Sequence, residues 1–172
     1  MKMSLERLVK LAGLTKGYIC KKENSDKAPA FSTLIKIAIG LNADVNLLIA
    51  EDSNAPQDIR LCIIKKNEAK EVASRGTVYR NHYKALAYKK LGKNMKPYLI
   101  EPAFEEKAVF SHEGEEFMYV LEGTDEFVYE GKKYILNAGD SIYFDSIIPH
   151  SGRSVGEKKA KIMAVMFSYK GQ

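Results

Sequence analysis

The spacing of apolar residues changes once along this chain, and that change limits what it can fold into. Up to residue 50 they recur three and four apart, as Leu5, Leu8, Leu11 and Ala12, then Leu34, Ile37, Ala38 and Leu41, then Val45, Leu48 and Ile49. This is the period of amphipathic helices. From residue 59 onward the apolar residues form short runs rich in β-branched and aromatic types, punctuated by Gly, Asn, Asp and Pro. That is the pattern of many short strands closing into a sandwich or barrel. Between the two lies Glu51-Asp-Ser-Asn-Ala-Pro-Gln-Asp58, with no apolar period and three acids. It reads as a linker. The expectation is an α + all-β chain of two domains: a helical unit over residues 1–50, a linker over 51–58 and a β-barrel over 59–172.

Local signals place the helices. Ser4 is positioned to cap a first helix that Gly13 ends, Thr15 to cap a second running from Lys16 to about Asn24, and Ser32 or Thr33 to cap a third beginning near Phe31. Strands are expected at residues 59–64, 77–79, 83–88, 98–100, 117–121, 126–129, 133–136, 141–144 and 161–169. The stretch Phe117-Met-Tyr-Val-Leu121 is apolar at every position, so a strand there must be covered on both faces. A barrel interior covers one; a second sheet or a partner subunit must cover the other.

The composition, 45% hydrophobic and 28% charged, is that of a globular protein. The net charge of +5 favours a polyanionic partner, and the excess is denser at the start: residues 1–50 hold eight Lys/Arg against four Asp/Glu. No apolar run reaches the ~18 residues of a membrane span and no signal-peptide pattern opens the chain, so the expected location is cytoplasmic, without a membrane partner. Cys20 and Cys62 lack any metal or redox spacing and are expected to be reduced and incidental.

Two short helices joined by a tight turn containing Gly13 form the arrangement that lays a second helix in the DNA major groove. On that helix Lys16 and Lys21 can reach guanine edges or phosphate, while Thr15, Tyr18 and Ser32 can donate to phosphate oxygens. On residues alone, a helical dimerisation module with solvated lysines fits equally well. The wording shifts the balance. Residues 4–19, Glu23-Asn-Ser25 and Phe31-Ser-Thr-Leu-Ile-Lys-Ile-Ala38 resemble the XRE family of lambda-repressor-like helix-turn-helix proteins over about 45 residues. The resemblance implies double-stranded DNA as partner and Lys16, Gly17 and Lys21 at groove-facing positions. It departs in two places: the family has five helices and this chain starts at the second, which implies a truncated unit, and Lys22 stands where an apolar residue is usual.

In the second domain His112 and Glu116 stand four apart on an expected strand, and a period of two turns them the same way. His150 follows Gly139 at the end of another. Two His and a carboxylate, if they converge, form a facial triad with open coordination positions. Residues 98–168 resemble the two cupin motifs, the double-stranded β-helix or jelly roll. His112, Glu116 and Gly123 match the first motif, whose leading His is replaced by Phe110. Gly139 and His150 match the second, in which Asp145, Ile147 and Ser154 are departures. Three of the usual four metal ligands are present, and two readings stay open: one divalent ion (Fe, Zn, Ni or Mn), or a metal-free pocket lined by hydrogen-bonding histidines.

Helix-turn-helix followed by cupin resembles the XRE-family regulators with a cupin sensor. By that resemblance the chain is a homodimeric transcriptional regulator, joined through its barrels, and Tyr83, Tyr88 and Phe110 join the triad in lining the site of a small-molecule effector. The alternative is an enzyme: hydroxypropylphosphonate epoxidase has the same order of domains and a triad on iron that His112, Glu116 and His150 match.

Overall fold

The computed structural model describes residues 4–25, 29, 31–41, 48, 59–71, 81–90, 92–105 and 109–167. Among these are three helices, α1 (Leu5–Ala12), α2 (Lys16–Glu23) and α3 (Phe31–Gly40), followed by nine strands. The strands are β1 (Lys70–Glu71), β2 (His82–Ala85), β3 (Met95–Glu101), β4 (Glu115–Glu122), β5 (Thr124–Tyr129), β6 (Lys132–Asn137), β7 (Ser141–Asp145), β8 (His150–Val155) and β9 (Lys161–Phe167).

Caps set the helix ends. Ser4 Oγ accepts the Arg7 N–H at 3.3 Å and Thr15 Oγ1 accepts the Tyr18 N–H at 3.2 Å, each satisfying one of the donors that a helix start leaves open. Gly13 closes α1 in the left-handed region at φ 60°, with its N–H on Val9 O. Ala12 of α1, Ile19 of α2 and Ala38 of α3 are buried. Thr33 is not a cap. Helix α3 already includes Phe31, and the Thr33 hydroxyl is 3.3 Å from the Tyr18 hydroxyl.

The strands form two antiparallel sheets, in the orders β1-β2-β3-β9-β4-β7 and β6-β5-β8. Their facing sides make the core. Alternation turns Tyr83 and Ala85, Tyr98 and Ile100, Val120, and Ile162, Ala164 and Met166 inward from the larger sheet, with Phe127 opposite on the smaller. Each of the Val, Ile, Phe and Met side chains among them, when fully buried, contributes about 1.5–3 kcal/mol. Ala38 belongs to the same buried cluster as Tyr83, Ala85 and Tyr98, and Leu34 packs against it. Helix α3 therefore shares buried surface with the barrel.

The corner between β4 and β5 requires glycine. Gly123 has φ 73°, and a Cβ there would lie 2.9 Å from Lys159 O and 3.0 Å from Ala160 Cα, where the chain enters β9. On β4 the expected two-sided apolar strand is present: Val120 is buried, while Tyr119 and Leu121 are on the outer face and exposed. That face continues sideways, since Phe117 is paired with Tyr143 and Val165, and Tyr119 with Met163.

Three expectations fail. Residues 59–64 form no strand, and Leu61 and Ile63 are exposed; among the described residues no neighbouring strand offers them a ladder, without which β-propensity has little effect. Strand β2 ends at Ala85, so residues 86–88 are a turn. Strand β8 is absent from the sequence reading because His150-Ser-Gly-Arg-Ser-Val155 carries small and polar residues. The expected strand at 77–79, the linker at 51–58, most of residues 42–50 and the end of the last strand lie outside the described residues. Among the described residues no helix is long and apolar enough to cross a membrane.

Candidate metal centre and cavity

The segment leading into β4 brings His112 to the barrel interior. Its backbone N–H donates to Ser146 O at 2.9 Å, pinning it to the turn after β7. His112 therefore precedes the strand rather than lying on it, and an irregular stretch through Gly114, not strict alternation, aligns it with Glu116. Glu116 lies on β4, opposite Phe144 of β7 and Met166 of β9. His150 opens β8 rather than ending β7, and is bridged to Phe110 by both backbone hydrogen bonds, at 2.7 and 2.9 Å.

The three side chains converge. Glu116 Oε2 lies 3.4 Å from His150 Nε2 and 3.9 Å from His112 Nε2, with all three side chains almost wholly buried. One ligand atom from each lies within 4.8 Å of the other two. His150 Nδ1 sits 2.8 Å from Ile148 O, a carbonyl that can only accept, so Nδ1 donates there and Nε2 is the ring nitrogen turned to Glu116. Burial pulls the His112 pKa below its ordinary value, against the attraction of Glu116, and so favours the neutral, ligating form. The ring of His150 is enclosed by Phe144 at 4.9 Å, His112 at 5.6 Å, Phe110 at 6.1 Å and Phe127 at 6.3 Å between centroids. A donor set of two imidazoles and one carboxylate, with a phenyl ring at the fourth position, fits one divalent transition-metal ion with coordination positions left open.

The triad forms part of the wall of a cavity of about 50 Å³. Tyr83 and Phe110 line it as expected from the sequence, and Asn81, Asp125, Phe127 and Ser151 line it without having been expected. Tyr88 is a correction: it follows the end of β2 and packs on the flank of the core, outside the lining, with Lys89 Nζ 5.8 Å from its ring centre. Asp125 escapes the sequence reading because the expected strand begins one residue later, at Glu126, whereas β5 begins at Thr124. Alternation carried back from Phe127 would have turned Asp125 inward.

On the helices, Lys16, Gly17 and Lys21 are exposed along α2. Lys16 Nζ is engaged by Glu6 of α1 at 3.1 Å. The Thr15 hydroxyl is used as a cap, and the Tyr18 hydroxyl meets Thr33 inside the helical unit rather than standing free for phosphate. Ser32 lies in the first turn of α3, and its side chain is outside the described set.

Residues 98–166 match the cupin domain family. Over 151 residues, 87% of this chain and 78% of the relative, the sequence is 29% identical to the HTH-type transcriptional regulator PuuR of Escherichia coli (strain K12). In structure it is similar to an HTH_3 family transcriptional regulator from Vibrio cholerae, at TM-score 0.68 and 22% identity over 96% of this chain and 87% of that one. It is also similar to hydroxypropylphosphonic acid epoxidase from S. wedmorenis, at TM-score 0.55 and 23% identity over 96% and 90%. These two structural likenesses show a shared architecture, helices followed by a cupin-like barrel.

Proposed function

We propose that this chain is a DNA-binding transcriptional regulator whose cupin barrel receives a small-molecule effector. The observation that carries the reading is a sequence similarity to an HTH-type regulator that runs through the helices and the barrel alike. The described geometry supports it: a capped helix–turn–helix with exposed Lys16, Gly17 and Lys21 on α2 precedes a barrel with a cavity. Double-stranded DNA is the partner of the helices, with Lys21 free of any ion pair among the described residues and Thr15 and Ser32 near the same helix starts. Tyr83 lines the cavity and belongs to the cluster that includes Ala38 of α3, so a ligand that favours one packing of this cluster also favours one placement of the helices. The outer face of β4 joins two barrels into a homodimer that presents two helical units to half-sites about one helical turn apart. Sedimentation should then give about twice the 19.3 kDa chain mass.

His112, Glu116 and His150 would hold one divalent ion, which when bound supplies a Lewis-acidic centre to an effector or substrate in the cavity. That donor set and the epoxidase-like architecture favour a second reading, an iron-dependent enzyme. Fluorescence anisotropy against DNA from the flanks of the gene separates the two. Saturable binding that weakens steeply with salt supports the regulator. Absence of any DNA binding, together with oxygen-dependent turnover of the iron-loaded protein, would replace it with the enzyme.

A further inference from the structure

The cavity beside the triad is small for an organic effector. It measures about 50 Å³, whereas pockets that enclose drug-sized ligands measure roughly 300–1,000 Å³. A water molecule takes up roughly 30 Å³ of liquid, so the space suits an ion with a few waters. No Lys or Arg is among the described lining residues to hold an anionic metabolite, and Ile100, Met118, Phe127, Ile162 and Met166 make much of the wall apolar. His112, Glu116 and His150, by contrast, bring one ligand atom each to within 4.8 Å of the others, on side chains almost wholly buried. The group built most completely in this cavity is therefore the one that takes a cation.

That group is joined to the helices by packed side chains. Glu116 on β4 is paired with Met166 on β9. Met166 lines the cavity, as do Tyr83, Ile100 and Ile162, and all four belong to the buried cluster that includes Ala38 of α3. Leu34, one turn earlier on α3, packs against the same cluster. Beside Leu34, Thr33 is buried with its hydroxyl 3.3 Å from that of Tyr18 on α2, the helix on which Lys16 and Lys21 are exposed. Interiors are close-packed, so a shift in the wall next to Glu116 must be taken up by its neighbours, and α3 is one of them. An ion that binds one arrangement of the wall better than another then favours one placement of the helices.

We propose that the divalent ion held by His112, Glu116 and His150 is itself the regulatory signal, and that its occupancy sets the DNA affinity of the helices through the cluster shared by Met166 and Ala38. The inference rests on the reading of the chain as a DNA-binding regulator and makes the effector an ion rather than an organic molecule. Linkage adds a second consequence: DNA must change the affinity for the ion by the same factor as the ion changes the affinity for DNA.

The test uses the full chain, with divalent nickel as the ion and anisotropy against DNA from the flanks of the gene. DNA affinity should differ about fivefold or more between saturating nickel and excess chelator. Nickel affinity, measured by competition with a chelator of known strength, should change by the same factor when DNA is present. His112→Ala should show neither change, which removes any action of nickel on the DNA or on surface groups. Leu34→Ala, remote from the ion, should keep nickel affinity within about threefold and reduce the effect on DNA to less than about twofold. If that variant does not fold, reciprocity in the unaltered chain still decides. A smaller response to nickel, the same response in His112→Ala, a nickel affinity indifferent to DNA, or full coupling in a folded Leu34→Ala would overturn the proposal. DNA binding that is equal with nickel and with chelator removes the ion as signal and leaves the regulator standing. No DNA binding in either state removes the regulator and this proposal with it.

Discussion

Lys16 and Lys21 on α2 stand in water, while Glu116 on β4 and Asp125 on β5 are buried, and the same elementary charge has different consequences in the two places. Lys16 and Glu6 approach to 3.1 Å with side-chain exposures of 61% and 76%; solvent screens such a pair to a few tenths of a kcal/mol. Glu116 is buried between two imidazoles, and Asp125 is buried with no partner among the described residues. Helical charges are thus available to a large partner that brings its own counter-charge. Barrel charges are available only to something small enough to enter.

The largest expected effect comes from removing the unpaired charge. Burial raises the Asp125 pKa from 3.8 to about 7, with Glu126 adding to the shift. Below pH 4 the group is protonated in both folded and unfolded chains and contributes nothing. Between pH 4 and 7 the unfolded chain ionises while the folded one holds its proton, so the group's contribution turns increasingly unfavourable and is constant above about 7. At 1.36 kcal/mol per unit this reaches up to about 4 kcal/mol. Urea unfolding of Asp125→Asn without ligand should therefore show a stability gain at pH 8 that vanishes at pH 4. A loss of stability at pH 8 would mean that Asp125 is paired, and the contrast with α2 would collapse.

Next in size is the triad. His112→Ala or Glu116→Ala should lower affinity for a divalent transition metal by at least about 100-fold, as read by metal analysis after dialysis against a competing chelator, since one of three ligand atoms is lost from the group. Asp125→Asn should leave metal affinity within about threefold, because Asp125 lies outside that group. Equal losses in all three variants would merge the two ends of the cavity into one site.

The same division governs what was legible in the sequence. Ser4, Gly13 and Thr15 announced the ends of α1 and α2 because capping is local chemistry, decided within three or four residues. Phe117–Leu121 announced a strand apolar on both faces, of which the structure covers the inner one at Val120 and leaves Tyr119 and Leu121 exposed. What failed depends on residues distant in sequence. The stretch 59–64 has strand composition and no strand, for want of a neighbour among the described residues, whereas β8 is a strand despite its Ser and Gly because Gly152 must accommodate Asp125 and Ser154 must serve two backbone groups. Its hydroxyl donates to Pro102 O at 2.7 Å and accepts the Ala160 N–H at 2.9 Å. The pattern of His112, Glu116 and His150 could be read from the sequence, but the Nδ1 contact that orients His150 could not, since it depends on the conformation of the turn at Ile148.

On the helical side, Thr15→Ala removes the acceptor of the Tyr18 N–H and should cost about 1 kcal/mol, measurable as a lower midpoint of thermal unfolding. Thr15 is also a DNA-reading candidate, so the same variant sharpens the contrast. A cap acts through helix order, and its loss should weaken all DNA sequences alike. A base-reading group would weaken one sequence selectively.

The smallest effect concerns the ion pair between α1 and α2. Glu6 holds Lys16 at 3.1 Å, but both side chains are largely exposed, so Glu6→Gln should change folding stability by no more than about 0.5 kcal/mol. Its effect on DNA binding has the opposite sign to that of Lys16→Ala. Freeing Lys16 leaves its charge available to a phosphate and removes a carboxylate that repels the backbone, so Glu6→Gln should bind DNA more tightly. In that case the slope of log K against log salt becomes steeper by up to about one ion. Lys16→Ala should weaken binding and make the slope shallower by a similar amount. Anisotropy titrations at three salt concentrations read both quantities at once. If neither variant moves the slope, Lys16 faces away from the DNA, and the groove-facing side of α2 must be sought around Lys21 instead.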